Sequence, residues 1–263
     1  MTALKSHKTM RIVSSAPSVT SILLALGAGK ELVGVSKWCK DVAAVGRRPE
    51  IGDCWNMDIR EVMRLRPTHL IGSVPFATKT VEEILKQPVA FLALNPRTIA
   101  DVYEDVRTLA HLTNRLARGE KLIRKMTRAF EGVAKRAAPL LTRPRVYCEA
   151  WPNPRISSPP WVAEMVEIAG GRMVVEAGAR VTDEAVARAK PDVIVLAWAA
   201  TGDRARPSSA LRNPAWKDVP AVKSGRVVVI RDELLNTPGP PLMIGIRELF
   251  RSMHTTGTSK GKS

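Results

Sequence analysis

This 263-residue sequence is poor in the residues that carry most covalent and metal chemistry. Its three cysteines, Cys39, Cys54 and Cys148, are too few and too scattered for a disulfide framework. They form no C-x-x-C pair, so no metal site is expected. Of its four histidines, His7 and His254 fall in expected tails, His111 ends a helix and His69 opens a buried strand. None has an evident partner for proton transfer. A Gly-rich phosphate loop, G-x-S-x-G and H-E-x-x-H are all missing, and the carboxylates form no readable pair. No catalytic residue is therefore assigned, and a binding protein is expected rather than an enzyme. No apolar run approaches a membrane span, and no apolar segment precedes the first strand to act as a signal peptide. As read, the chain is expected to be neither transmembrane nor exported. Acidic residues are scarce, 25 against 41 Lys and Arg, for a net charge of +16. The basic residues are spread out and lack interleaved aromatics, so they read as a solvated face and no nucleic-acid partner is expected.

What is present is alternation. A short strand from Arg11 to Ser14 leads through Ser15-Ala16-Pro17-Ser18 into a helix with Ser18 as its N-cap and Gly27 as its stop. Strands at 32–36, 69–72 and 89–94 alternate with helices, the pattern of a mainly parallel sheet. A helix from about Arg115 to Ala138 follows, with Leu122, Ile123, Met126, Phe130, Val133 and Ala137 in one stripe and a basic opposite face. At 1.5 Å per residue it spans roughly 35 Å and reads as a rigid strut. Alternation then resumes. A buried strand from Arg145 to Ala150 ends on Trp151 and two prolines, which cannot continue a ladder. Helices open at Trp161 and Pro241, and strands run over 192–197 and 226–230. The fold class expected is α/β: two Rossmann-like lobes joined by one long rigid helix, with a ligand cleft between the lobes. The expected divisions are residues 10–112, a bridging helix over 113–142, residues 143–254, and a disordered tail over 255–263.

The two halves echo each other. Aligning Pro67 with Pro191 pairs Asp58 with Thr182, Arg60 with Glu184, Arg66 with Lys190, and Leu70 with Ile194. Upstream, the stretch from Leu26 to Gly29 resembles that from Ile168 to Gly171. The first half carries a longer insertion, which holds Trp38 and Trp55.

The tryptophans are the informative aromatics. Trp38, Trp55, Trp151 and Trp198 fall in loops or just past strand ends, whereas Trp161 and Trp216 lie at helix starts and read as packing residues. Open α/β sheets place ligands at the carboxyl ends of their strands. Indoles there suit a large, flat, partly apolar ligand, with ring faces supplying area and ring N–H groups supplying donors. Pro17 and Ser18, at a helix start, add backbone donors to this expected set, and Arg155 is the main candidate for an anionic group on the ligand.

In order and spacing, the stretches from Arg11 to Thr20, Leu32 to Ser36, Pro67 to Ile71, Tyr147 to Ser157, Ala169 to Gly171, Lys190 to Ile194 and Pro238 to Pro240 resemble the substrate-binding proteins of bacterial ABC importers for cobalamin and iron-siderophores. The resemblance runs from about Arg11 to Met253. It implies two α/β lobes bridged by one helix, a small-molecule ligand held non-covalently between them, an ABC permease as partner, a monomer, and a periplasmic location. The strand and loop around Trp151 most resemble the cobalamin members, and Trp38 and Trp55 look like the aromatics that contact the corrin. The ligand implied is thus cobalamin, with an iron-siderophore or heme as the alternative and an intracellular corrinoid-processing enzyme as a more distant one. In transport members a surface Glu on each lobe docks on permease arginines. Glu184 resembles one of these, but Arg60, beside Glu61, stands at the other, where its charge would repel such a partner. The segment from Asn236 to Pro241 also lacks the arginines that many relatives carry.

Overall fold

The computed structural model describes residues 9–199 and 205–254. The tail expected at 255–263, and His7, lie outside the described residues. The chain divides into two compact units, one built from residues up to Pro96 together with Asp101–Leu122, the other from Arg97–Ala100 together with everything from Ile123 onward.

The first unit is a five-stranded parallel sheet. Strand β1 (Ile12–Ser14) is fully buried and leads into α1 (Pro17–Ala25). Next come β2 (Leu32–Ser36), a 3-10 turn over Lys37–Asp41, and β3 (Glu50–Ile51). Helix α2 (Ile59–Arg64), β4 (His69–Ser73), α3 (Thr78–Leu85) and β5 (Ala90–Leu94) complete the alternation. The strand order is β3-β2-β1-β4-β5. All pairs are parallel. The apolar face of this sheet packs Val13, Ile51, Val62, Leu70 and Ile84 into one core. Parallel neighbours cannot be joined by a tight hairpin, so every connection in this sheet is a crossover.

The start of α1 corrects one expectation. Ser18 is not the N-cap; the helix begins two positions earlier than that cap implies, on Pro17, with Ala16 outside it. Proline's fixed φ and missing N–H suit the first helical position, so Pro17 opens the helix and Ser18 becomes a buried residue of its first turn.

Helices α4 (Ile99–Leu112) and α5 (Leu116–Ala137) follow. The buried stripe of α5 is the one its periodicity predicts: Leu122, Ile123, Met126, Phe130, Val133 and Ala137.

The second unit centres on β6 (Arg145–Pro152), which pairs in parallel with β8 (Arg172–Met173) and with β9 (Val193–Leu196). Val146 has a partner in both, so these strands flank β6 on opposite edges. Strand β10 (Val227–Val229) extends the sheet beyond β9. The prolines after Ala150 do not end β6. It runs on to Pro152, turns at Asn153-Pro154 and returns antiparallel as β7 (Arg155–Ser157), pairing Trp151 with Ile156 and Pro152 with Arg155. The ring of Pro154 sits in the turn, where no ladder N–H is required, so it does not interrupt pairing. Helices α6 (Pro160–Ile168), α7 (Asp183–Ala189), α8 (Ser208–Leu211), α9 (Pro220–Lys223) and α10 (Leu242–His254) complete the unit. His254 is not in a tail: it closes α10, and its ring nitrogen lies 2.8 Å from the Ala169 carbonyl oxygen. Trp216 is fully buried, with Tyr147 edge-on to it at 6.0 Å between ring centroids.

The internal repeat is visible in backbone detail. Asp58 and Thr182 both cap their helices through side-chain oxygens. Arg66 and Lys190, the residues that follow those helices, are both left-handed, with φ of 48° and 43°. The upstream match shifts by one residue: α1 and α6 both open on proline, and each is followed by a left-handed glycine, Gly27 and Gly170. Leu26 therefore corresponds to Ala169 rather than to Ile168, because only glycine adopts that conformation at little cost.

Candidate functional site

In each unit the strand order reverses around one strand, β1 in the first and β6 in the second. The crevice at the carboxyl end of such a strand is where open α/β sheets take ligands. The sequence-derived residues fall into this frame in two groups.

In the first unit, Trp38 lies in the turn after β2 and donates its indole N–H to Asp53 Oδ2 at 3.0 Å. The Lys37 ammonium stands 4.7 Å over its ring. Trp55 is 61% exposed, and its backbone N–H donates to the other oxygen of the same carboxylate, Asp53 Oδ1, at 3.0 Å. The structure thus joins Trp38 and Trp55 through Asp53, a residue the sequence reading passed over. Pro17 and Ser18 open α1 after β1, with the Ser18 side chain buried.

In the second unit, Trp151 is 39% exposed on the β6–β7 hairpin and donates its N–H to the Asn153 carbonyl at 2.9 Å. Trp198 follows β9 and donates to Glu149 Oε1 at 2.8 Å. Glu149 is fully buried. Its Oε2 accepts from the Tyr147 hydroxyl at 2.7 Å and from Arg155 Nη1 at 2.7 Å. Arg155 also donates from Nε to Asp183 Oδ1, and its guanidinium lies 4.4 Å over the Trp216 ring. Asp183 in turn accepts from Asn213 Nδ2 at 3.0 Å and, at its carbonyl, from Trp216 Nε1 at 3.1 Å. Burial works against the Arg155 charge, but the Glu149 and Asp183 carboxylates together outweigh it, and the guanidinium pKa lies above its ordinary value. Tyr147 is pushed well above the usual phenol range by burial and by Glu149, so it remains a neutral donor.

Two readings change as a result. Arg155 is not a free cation waiting for an anionic ligand; its charge is held by two carboxylates. Three of the four indoles do not offer ring donors either, because Trp38, Trp151 and Trp198 already donate within the protein. What they present is ring area. Glu149 and Tyr147 were missed because a strand sequence does not say which neighbours a charged residue will find. The one available clue was a glutamate inside an otherwise apolar strand, which must be paired to be buried.

The three thiols are embedded. Cys39 is buried between Thr20 and Ser36, and burial raises its pKa. Burial pushes Cys148 up to about 12, and burial with Asp53 pushes Cys54 up to about 11. Among the described residues no group of three or more His, Cys, Asp or Glu side chains is placed to hold a metal, and no helix is long and apolar enough to cross a membrane.

The remaining predicted residues lie on the surface at the start of two equivalent helices. Arg60 is the second residue of α2 and pairs with Asp58 at 3.1 Å, which holds that carboxyl below its usual range. Glu61 is exposed beside it. Glu184 is the second residue of α7; hydrogen bonds from its own N–H and from Thr182 lower its pKa.

Each unit is an open, mainly parallel sheet whose order reverses at one strand, the architecture in which α/β proteins hold small ligands beyond the strand ends. Residues 12–234 match the periplasmic binding protein family, and the chain belongs to that family. Its relatives include YvrC, an uncharacterized ABC transporter substrate-binding lipoprotein of Bacillus subtilis (strain 168), 24% identical over an alignment of 256 residues that covers 93% of this chain and 80% of that one. Among solved structures, a periplasmic heme-binding protein from Pseudomonas aeruginosa superposes with a TM-score of 0.81 at 23% identity, over 95% of this chain and 94% of the other. The periplasmic vitamin B12-binding protein BtuF of Vibrio cholerae superposes with a TM-score of 0.73 at 19% identity, over 92% and 95%. The two-lobed α/β fold is that of these structures.

Proposed function

We propose that this protein captures a corrinoid, cobalamin or a close analogue, non-covalently on its strand-end indoles and serves as the substrate-binding component of an ABC-type importer. The observation that carries the reading is the state of those indoles. With the N–H groups of Trp38, Trp151 and Trp198 already donated inside the protein, they favour a ligand recognised by broad ring contact. A corrin supplies that surface. Its cobalt also brings its own ligands, so none is required from the protein.

Heme is the second reading, favoured by the likeness to the Pseudomonas aeruginosa protein. Heme iron takes an axial ligand such as Tyr, Cys or His from its protein. Here the Tyr147 hydroxyl is buried on Glu149, and the Cys54 thiol is pushed up to about 11. Both facts favour the corrinoid. For docking on a permease, Glu184 supplies an exposed carboxylate, while Arg60 at the equivalent site supplies the opposite charge. The partner surface is therefore expected to be acidic or neutral opposite α2.

The test is titration with cyanocobalamin, hemin and a ferric siderophore, following tryptophan fluorescence and the visible spectrum of each ligand. Saturable one-to-one quenching by cyanocobalamin is expected. A Trp151→Ala change should weaken binding by about thirtyfold, as for a ring-area anchor worth ~2 kcal/mol. Saturable hemin binding with no response to cyanocobalamin would overturn the corrinoid reading.

A further inference from the structure

We propose that the buried Glu149–Arg155 ion pair is the positioning element of the second unit's ligand surface, fixing both Trp151 and Trp198. The proposal rests on the reading that ligand is taken on the strand-end indoles.

The geometry assigns each half of the pair a task. Glu149 is fully buried in the central strand. Both its oxygens are used, and one accepts the Trp198 N–H at 2.8 Å. Trp198 follows β9, with its backbone tied to β6 by the Ala197 and Ala199 N–H groups and its ring packed against the core around Tyr147 and Trp216; the bond from its N–H to the Glu149 carboxylate adds a directional contact that selects one rotation of the ring. Arg155 stands on β7, opposite Pro152 and one step from the Trp151–Ile156 pair. Its guanidinium ties that hairpin to Glu149 on one side and to Asp183, the first residue of α7, on the other. It also stands 4.4 Å over the ring of the fully buried Trp216. The hairpin carrying Trp151 is thus anchored to the carboxylate that anchors Trp198. A buried ion pair replaced by apolar packing is often as stable or more so, so stability alone gives little reason for this one. Its directional bonds add to packing a preference for one edge of each ring, since only one rotation of Trp198 brings its N–H onto Glu149.

The test uses Glu149→Gln, which keeps the shape but presents an amide to three donors. Indole N–H resonances are read by 15N NMR on the ligand-free protein, with Trp198→Phe used to assign the Trp198 signal. The Trp198 signal is expected to move upfield and the Trp151 signal to shift or broaden, while that of Trp38, on Asp53, stays in place. Cyanocobalamin affinity is expected to fall roughly tenfold or more, the scale of a lost charged hydrogen bond. Cys148→Ala, a fully buried change next door but outside the network, is expected to lower the melting temperature while leaving the Trp198 signal in place and affinity within about twofold. An unmoved Trp198 signal in Glu149→Gln, or equal losses of affinity in both variants, would overturn the proposal. If Glu149→Gln does not fold, exchange of the Trp198 indole proton in the unaltered protein decides: slow exchange relative to Trp55 supports the clamp, and equal exchange refutes it. Because the NMR readouts need no ligand, a moved Trp198 signal in a protein that ignores cyanocobalamin would leave the positioning role standing and remove only the corrinoid reading.

Discussion

Two helical glycines predict opposite outcomes for the same substitution. Gly245 lies on the buried face of α10, and a Cβ there would fall well inside contact distance of the Leu234 carbonyl oxygen and 2.8 Å from its carbon. A relaxed carbon–oxygen contact needs about 3.3 Å, so either the helix or the Asp232–Leu234 turn must retreat. Neither is free to do so. Leu242, Ile246, Leu249 and Met253 of α10 are all buried. Beyond the turn, Leu235 accepts from Trp161 Nε1 at 2.8 Å and Asn236 Nδ2 donates to Ala197 at 2.7 Å. Overpacking of this kind costs about 3 kcal/mol, and stretching those two hydrogen bonds adds about 1 kcal/mol each. Alanine's higher helix propensity returns about 1 kcal/mol. Gly245→Ala is therefore expected to destabilise by about 4 kcal/mol, a drop of roughly 10 °C in Tm for a unit of this size. Gly132, in the interior of α5, has nothing within 4 Å of its would-be Cβ. Gly132→Ala should gain the helix propensity alone, about 1 kcal/mol. Urea and thermal melts of both variants test the pair. A Gly245→Ala protein as stable as the parent, or a Gly132→Ala protein less stable, would refute the packing argument.

Lys190, held at φ 43° after α7, carries the steric cost of a left-handed side chain, so Lys190→Gly should raise stability by about 0.5–1 kcal/mol, and a loss in the urea midpoint would count against it. Asp105, on α4, has its carboxyl pushed up to about 7 by burial and by Asp101. An unfolded Asp titrates near 4, so between about pH 4 and 7 the native state holds a proton that the unfolded state has released. The stability linked to this group is fully present below about pH 4 and is lost as pH rises through 7. Asp105→Asn should accordingly raise Tm at pH 8 while changing it little at pH 4; equal shifts at the two pH values would show that the carboxyl is not titrating in this way.

The frame was legible because it depends on local chemistry. The alternation of strands and helices, the pairing of Asp58 with Thr182 and that of Arg66 with Lys190 follow from periodicity and backbone constraint, and Arg66 and Lys190 share a left-handed conformation. The β6–β7 hairpin was not legible, since Pro152 and Pro154 read as terminators until the antiparallel partner is known. The site was half legible. Of the four indoles outside the periodic stripes, Trp38 and Trp198 follow strands while Trp151 lies within β6 and Trp55 in a turn, and what each N–H would meet could not be read. The acceptor for Trp198 lies 49 residues away in sequence, on Glu149. For Arg155, an arginine two residues past Asn153 gives no sign that Asp183 and Glu149 will claim its charge. Such pairings are properties of tertiary contact, and local pattern carries no record of them.

The offset between the two halves falls from 143 residues at their first helices, Pro17 against Pro160, to 124 at the next caps, Asp58 against Thr182. The first half therefore holds 19 additional residues in that interval, and Trp38, Asp53 and Trp55 all lie within it. The aromatic equipment of that half rides on a cassette laid over a frame that the other half completes without it. That segment is pinned to the frame at Cys39, fully buried against Thr20 of α1 and Ser36 of β2, and at β3, which pairs with β2. Room for change therefore lies between those two anchors, where a longer or shorter loop would alter the surroundings of Trp38 without removing a strand pairing.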